Sequence, residues 1–280
     1  MNVDDFNLLS KLIKDKSGLT LTKDKAYLLE SRLLPVARKY TLKNLDELVM
    51  RLRTRQEQGL VRDVVEAMTT NESFFFRDIK PFDQFKQVVL PYLLQSRASS
   101  KSIKIWSAAS SSGQEPYTLA MLIKEERHRL AGWNIDILAT DLSTEILAKA
   151  QAGLYSQFEV QRGLPIQMLV KYFKQTGDRW LIDASVREMV RYRPFNLLDD
   201  MTTLGNFDVI FCRNVLIYFD QPTKQMVLER MARQLTSDGF LYLGGAETVV
   251  GITDKFQPMA NHRGIYHHAN PTAASRVANL

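Results

Sequence analysis

Up to about residue 70 the apolar positions recur with the period of a helix. Phe6, Leu9 and Ile13 form one stripe, and Gly18 stands where a left-handed C-cap belongs. Leu29, Leu33, Val36, Ala37 and Tyr40 fall at i, i+4, i+7, i+8 and i+11, which predicts a second helix kinked at Pro35. Asn44 can cap a third helix that carries Asp46 and Glu47 in its first turn and turns Leu45, Leu48, Val49 and Leu52 inward. Leu60, Val61, Val64, Val65 and Met68 supply a fourth. Beyond residue 100 short apolar runs alternate with amphipathic ones, the signature of a parallel sheet with crossover helices. The strands expected are "IKIW" (103–106), "IDILAT" (135–140), "FDVIFC" (207–212) and "GFLYLGG" (239–245), with "RGIYHHA" as an antiparallel edge. The helices between them begin at "EPYTLAMLIKEERHRL", with Pro116 in its first turn, at "TEILAKAQ" and at "QPTKQMVLERMARQL".

One insert breaks this rhythm. Between Gly153 and Arg193 lie a helix around "PIQMLVKYF", a turn at "TGD" and two extended runs, "RWLID" and "VREMVRYRPF". These predict a small antiparallel sub-sheet, the last run becoming a strand of the large sheet. The plan is therefore a helical domain over 1–70, a linker and lid over 71–100, an α/β domain over 101–270 with its insert at about 154–195, and a flexible tail over 271–280. The stretch "TTNESFFFRD" (69–78) fits neither period, since three successive phenylalanines cannot all face one core. It reads either as a buried hinge or as a lid laying aromatic surface on a ligand, with Asn71, Ser73 and Arg77 at its polar ends.

Composition narrows the setting. The 280 residues are 45% hydrophobic and 10% aromatic, as in an ordinary globular protein. Cys212 is the single cysteine, so no intramolecular disulfide can form and a reducing cytoplasm is the expected location. The N-terminus lacks a basic start followed by an apolar segment, and no window approaches the roughly 18 uninterrupted apolar residues of a membrane span. A net charge of +6 and a pI near 9.3 suit an acidic partner without naming it. Residues 1–70 hold 13 Lys and Arg against 10 Asp and Glu, a net of +3, so the helical part is itself weakly basic.

The candidate chemistry is positional. In open α/β sheets ligands sit beyond the carboxyl ends of the strands, where strand order reverses. At those ends stand the small-residue loop "SAASSSGQE" with Gly113 and Glu115, then Asp141, then Asn196, then Arg213 and Asn214. Each has a plainer reading: Asp141 as an N-cap, Asn196 as a turn residue, Arg213 and Asn214 as a helix cap. Taken together they line one crevice. The loop has neither the G-x-G-x-x-G spacing of a dinucleotide site nor the lysine of a triphosphate cradle. An acidic residue ending the second strand suits ribose hydroxyls, and Glu115 suits a cationic amino-acid moiety. Those needs describe S-adenosylmethionine (SAM), with the phenylalanines as aromatic cover for its sulfonium or adenine and Arg77 as partner of its carboxylate. His128, His262, His267 and His268 show no metal-ligand spacing, and Cys212 reads as a buried strand residue, so no metal is expected.

The motifs "MTTNESFFFRD", "IWSAASSSGQEPYTLAM", "ATDLS", "FCRNVLIYFD" and "LGGAE", in that order, resemble the chemotaxis receptor methyltransferases, the CheR family, over nearly the whole chain. The resemblance implies a Rossmann-like SAM-dependent methyltransferase domain, α/β with a mostly parallel sheet, an inserted antiparallel β-subdomain and an all-helical N-terminal domain. It implies methylation of glutamate side chains on the cytoplasmic helices of chemoreceptors, a protein-glutamate O-methyltransferase releasing S-adenosyl-L-homocysteine (SAH). Carried over by motif, cofactor contacts fall on Asn71, Ser73, Arg77, Glu115, Asp141, Asn196, Leu197, Arg213 and Asn214, and Arg77 and Tyr218 border the transferred methyl. Ser73 stands where the family usually has threonine, and Gln114 where it usually has the first glutamate of "GEEPY". Arg32, Arg38, Lys39 and Lys43, with Lys23 and Lys25 nearby, are expected to dock on the acidic receptor helices. Family members that tether to a receptor's C-terminal peptide carry a longer, Gly-containing loop where this chain has "KQTGDRW" (174–180), so tethering is expected to be weak or absent. The alternatives are a nucleic-acid methyltransferase, which usually shows Asn/Asp-Pro-Pro-aromatic where this chain has "RNVLIYF", and a SAM-binding adaptor without catalysis. Neither nucleic acid nor membrane insertion is expected.

Overall fold

The computed structural model describes residues 2–55 and 57–269; the tail expected at 271–280 lies outside them. The chain forms two compact units, Met1–Thr70 with Tyr218–Thr223, and Asn71–Ile217 with Lys224–Leu280.

The smaller unit is helical: α1 (Val3–Ser17), α2 (Ala26–Lys39), α3 (Leu45–Thr54) and α4 (Gln58–Met68). Local chemistry sets the ends. The Asn2 side chain accepts from the Asp5 amide, and Gly18, at φ 79°, closes α1 with its amide donating to Lys14 O. Asn44 accepts from the Glu47 amide to start α3. The stripes read from the sequence meet in one core, with Leu9, Ile13, Leu29, Leu33, Leu48, Leu60 and Val64 fully buried. Segment 218–223 is stitched to this unit by the Thr20 amide donating to Tyr218 O at 2.9 Å and by a Lys14–Asp220 ion pair at 2.6 Å.

The larger unit opens with α5 (Lys80–Gln84), a π-helical turn (Phe85–Val89) and α6 (Leu90–Ser96). Then follow β1 (Ser102–Ala108), α7 (Gln114–Glu125), β2 (Asn134–Asp141) and α8 (Thr144–Ala152). The insert comprises β3 (Leu154–Ser156), α9 (Gln157–Gln161), α10 (Ile166–Tyr172), β4 (Phe173–Thr176), β5 (Arg179–Ile182) and α11 (Ala184–Arg187). The chain returns through β6 (Val190–Pro194), β7 (Phe207–Cys212), α12 (Gln221–Gln234), β8 (Leu235–Leu243), β9 (Phe256–Pro258) and β10 (Ile265–His268). The large sheet runs β6-β2-β1-β7-β8-β10-β9, parallel from β6 to β8 and antiparallel at β10 and β9. Strand order reverses between β1 and β7, which places the switch point beyond Ala108 and Cys212. Every residue of β7 is buried, as its unbroken apolar run requires.

Three expectations change. The run "VREMVRYRPF" is not extended throughout: its first part ends α11, and Val190–Pro194 alone pairs, in parallel with β2. The small sheet is β3-β5-β4 instead. The segment "RGIYHHA" does not form the edge, because β9 pairs outside it. Phe75 and Phe76 are core residues rather than cover, 0% and 8% exposed, Phe75 meeting Tyr155 and Phe173 edge-on at 5.0 and 5.5 Å. Phe74 alone stays partly exposed, beneath the guanidinium groups of Arg162 and Arg77 at 4.3 and 5.4 Å.

Gly163 and Gly177 both adopt positive φ, at 85° and 63°, but in different surroundings. A Cβ on Gly163 would collide with the Phe75 carbonyl, whereas one on Gly177 meets nothing within 4 Å. Gly177→Ala is therefore expected to cost about 1 kcal/mol and Gly163→Ala about 3 kcal/mol or more, measured by urea unfolding. In the helical unit, Asp220 is held down at about 2, from 3.8, chiefly by its hydrogen bond to Lys14. A depressed carboxyl stabilises the fold above pH 3.8 and loses that contribution as pH falls towards 2. Asp220→Asn keeps an oxygen for the Thr223 amide, so it removes the charge and spares the cap. The stability gap between the two proteins should be constant from neutral pH to about 4 and close towards pH 2; a gap independent of pH in acid would exclude this pair.

Candidate functional site

The loop after β1 is shaped by backbone constraint. Ala109, Ser111 and Gly113 have φ of 55°, 52° and 90°, and a Cβ on Gly113 would stand 2.6 Å from the Tyr192 hydroxyl, so the position needs glycine. Side chains hold the strained loop in place. The Ser111 amide donates to Asp141 Oδ2 at 2.8 Å, the Ser111 hydroxyl to Asn71 O at 2.9 Å, and the Tyr155 hydroxyl to Ser112 O at 2.8 Å. Gln114, 1% exposed, accepts from the Ser112 hydroxyl at 2.8 Å.

Asp141 ends β2 and is buried. Its Oδ1 accepts from the Ser143 amide at 3.0 Å, so its two oxygens span the loop after β1 and the start of α8. The capping of α8 itself falls to Ser143, whose side chain accepts from the Ile146 amide. The Phe195 amide donates to Asp141 O at 2.9 Å, which sets Asn196 and Leu197 beside it. Asn196 accepts from the Leu198 amide at 3.0 Å in a tight turn, and Leu197 is 7% exposed.

Glu115 lies in the first turn of α7, where the helix dipole favours a carboxylate. Its Oε1 accepts from the Ser107 hydroxyl at 2.8 Å and its Oε2 from Arg213 Nη1 at 3.0 Å. Arg213, its side chain 1% exposed, also donates through Nη2 to Arg77 O at 2.9 Å and to Asp78 Oδ2 at 2.7 Å. One guanidinium thus binds the start of α7 and the 77–78 turn to the end of β7. That turn is itself strained, with φ of 52°, 69° and 46° at Phe76, Asp78 and Ile79. The Arg77 side chain, half-buried, donates to Glu72 O at 2.9 Å, and Ser73 is likewise half-buried.

The structure therefore sets two bonded groups at the carboxyl ends of the strands: Glu115, Arg213 and the Arg77 carbonyl in one, and Asp141, the loop after β1 and the Asn71 carbonyl in the other, with Asn196 and Leu197 following the Phe195–Asp141 bond. Asn214, φ 59°, follows directly in the turn after β7. Tyr218 is counted with the helical unit and packs on its core. The basic residues of that unit divide. Arg32 is occupied by Met68 O, Thr69 O and the Thr70 hydroxyl at 2.9, 3.0 and 3.3 Å, and Lys39 by Asp63 at 2.7 Å. Arg38 and Lys43 are exposed and have no ion-pair partner among the described residues. Cys212 is buried, and burial pushes its thiol well above the ordinary range.

Sequence reasoning missed Asp78, Ser107 and Glu247. The Glu247 carboxylate accepts from the amides of Asn214, Val215, Ile217 and Gly244 at 2.7, 3.0, 3.2 and 2.7 Å. A signal was present, since "LGGAE" ends a strand beside the switch point.

Residues 71–265 match the family described as CheR methyltransferase, SAM binding domain, and residues 4–69 match the CheR methyltransferase all-alpha domain. Chemotaxis protein methyltransferase 1 of Pseudomonas aeruginosa is 41% identical over 269 residues, 95% of this chain and 97% of its own. The chemotaxis protein methyltransferase of Vibrio anguillarum is 40% identical over 266 residues, 94% and 96% of the two chains. That of Borreliella burgdorferi is 34% identical over 253 residues, 89% of each. With both domains matched in order and this identity along nearly its full length, the chain belongs to the CheR methyltransferase family, whose SAM-binding domain spans residues 71–265.

Proposed function

We propose that this protein is a cytoplasmic protein-glutamate O-methyltransferase that forms methyl esters on the cytoplasmic helices of chemoreceptors. The observation that carries the reading is the joining of Glu115, Arg213 and the 77–78 turn at the switch point, with Asp141 holding the adjoining loop. Two buried polar atoms there, Ser110 Oγ and Arg213 Nε, have no hydrogen-bond partner among the described residues, which suits a polar ligand. Glu115 would face the ammonium of the amino-acid end, Arg77 its carboxylate, and Asp141 the ribose hydroxyls, with Asn71, Ser73, Asn196, Leu197, Arg213 and Asn214 completing the enclosure. When bound, SAM supplies an electrophilic methyl on a sulfonium.

The acceptor is a carboxylate at neutral pH, so its nucleophile needs no general base. SAM held there would supply its methyl to that oxygen, the carbon–sulfur electron pair staying with sulfur, to leave a neutral ester and SAH. Opposite charges disappear together, so the protein's part is alignment and exclusion of water. Orientation of this kind contributes roughly 7–11 kcal/mol in favourable systems. By the family motifs alone, Arg77 and Tyr218 would border the transferred methyl.

Methyl-labelled SAM incubated with the protein and either receptor cytoplasmic fragments or RNA tests the reading. Label is expected in the receptor fragment and released as methanol by mild base, as an ester requires. Base-stable label, label in RNA or no label would overturn it. For docking, Arg38 and Lys43 are exposed and take part in no ion pair among the described residues, and Arg38→Glu with Lys43→Glu should lower receptor methylation on the order of tenfold at low salt, with SAH affinity unchanged. Initial rates across ionic strength measure this, and rates equal to wild type would exclude the surface. The β4–β5 turn is short, so receptor tail peptides titrated in the same series are expected to bind weakly or not at all.

A further inference from the structure

We infer that Glu247 is a positioning residue for the cofactor site, its carboxylate serving as a built-in anion that shapes the turn presenting Asn214. This role rests on the SAM-binding reading above. An ordinary helix or turn cap satisfies one or two amides. Glu247 takes four, with Oε2 accepting from Asn214 and Gly244 and Oε1 from Val215 and Ile217. Three of these donors belong to the turn after β7 and one to the end of β8, so a single side chain fixes both segments just beyond the Cys212–Leu243 pair. Asn214 sits at φ 59°, a conformation that needs support from outside the turn.

The sequence accommodates this contact. A Cβ on Gly244 would stand 2.7 Å from Glu247 Oε2, 2.8 Å from Asn214 Nδ2 and 2.9 Å from Asn214 N, so position 244 must be glycine for the carboxylate to reach its donors. The neighbouring Gly245 has no such constraint, with nothing within 4 Å of its Cβ position. Glu247 also lines an open cleft of about 750 Å³, walled by Lys80, Leu243 and Tyr266 among others, so its place is reachable from solvent. Glutamine at 247 keeps the volume but turns an NH₂ group towards amide donors, setting donor against donor.

Calorimetric titration of the full chain with SAH, well below the unfolding temperature, separates affinity from the fraction of folded protein. Glu247→Gln is expected to weaken SAH binding roughly tenfold or more at unchanged stoichiometry, in line with other residues that orient a first layer of ligands. Gly244→Ala should weaken it in the same direction, and Gly245→Ala should leave it at the wild-type value. Added acetate should restore affinity to Glu247→Ala by occupying the vacated donors, while leaving wild type unaffected. A purely structural role predicts lower stoichiometry with the wild-type dissociation constant. That result, or wild-type affinity in Gly244→Ala together with no acetate effect, would overturn the inference. If Glu247→Gln fails to fold, the Gly244→Ala and acetate measurements decide. Wild-type protein that binds no SAH would instead overturn the SAM-binding reading, and this role with it.

Discussion

Arg213 lies at the end of the central strand with its side chain 1% exposed, and a charge so placed is stable only if it is met. Two carboxylates and a carbonyl meet it. Glu115, 12% exposed, faces it from the interior, whereas Asp78, 51% exposed, faces it from the rim. The interior pair carries more of the interaction, because water screens the rim pair. Removing Glu115 would leave a buried cation partly uncompensated, a loss of about 3–5 kcal/mol in comparable cases. Lysine is no substitute, since one ammonium lacks the planar fork that reaches α7 and the 77–78 turn together. The bond set thus joins Arg213 to residues 98, 135 and 136 positions away in sequence, and the geometry of the crevice depends on it.

Backbone strain is concentrated around the same place. Of the nine non-glycine residues at positive φ among those described, six lie in the three loops at the carboxyl ends: Phe76, Asp78 and Ile79, Ala109 and Ser111, and Asn214. Each such residue costs on the order of 1–3 kcal/mol and persists only where its surroundings over-determine it. Here the surroundings are identifiable. Arg213 secures the first loop, Asp141 and Asn71 the second, and Glu247 the third. Polar side chains hold strained backbone in each case, and the site is built of loops whose shape is imposed rather than intrinsic.

This explains what the sequence made visible. The helices of the first unit and strands β1, β2, β7 and β8 were legible because burial of one face writes a period into the chain. Asp141, Arg213 and Asn214 could be placed because polar residues at the ends of apolar strands stand out, Asn196 because it follows the last run of the insert, and Glu115 because it closes a small-residue loop at a helix start. Glu247 and Asp78 were not, since their partners are mostly backbone amides or a distant guanidinium, and a side chain bonded to amides leaves no pattern in the donor residues. The phenylalanine run misled for a related reason. Positive φ at Phe76 turns the chain so that successive side chains no longer alternate, and Phe75 and Phe76 both reach the core. Short elements such as β9 and α11 carry too few residues for any period to register.

The one residue of the loop that departs from the family pattern fits this electrostatic account. Gln114 is 1% exposed and accepts from the Ser112 hydroxyl within the loop that Asp141 holds. A glutamate there would add a second carboxylate next to Glu115, in a place where nearly all water is excluded. Arg213 already answers Glu115 and Asp78, so a further buried anion would need its own counter-charge or a proton. The neutral amide avoids that cost and preserves the hydrogen bond. It also leaves Glu115 as the acidic side chain in the first turn of α7, so an ammonium brought to this loop meets a single carboxylate in a fixed orientation.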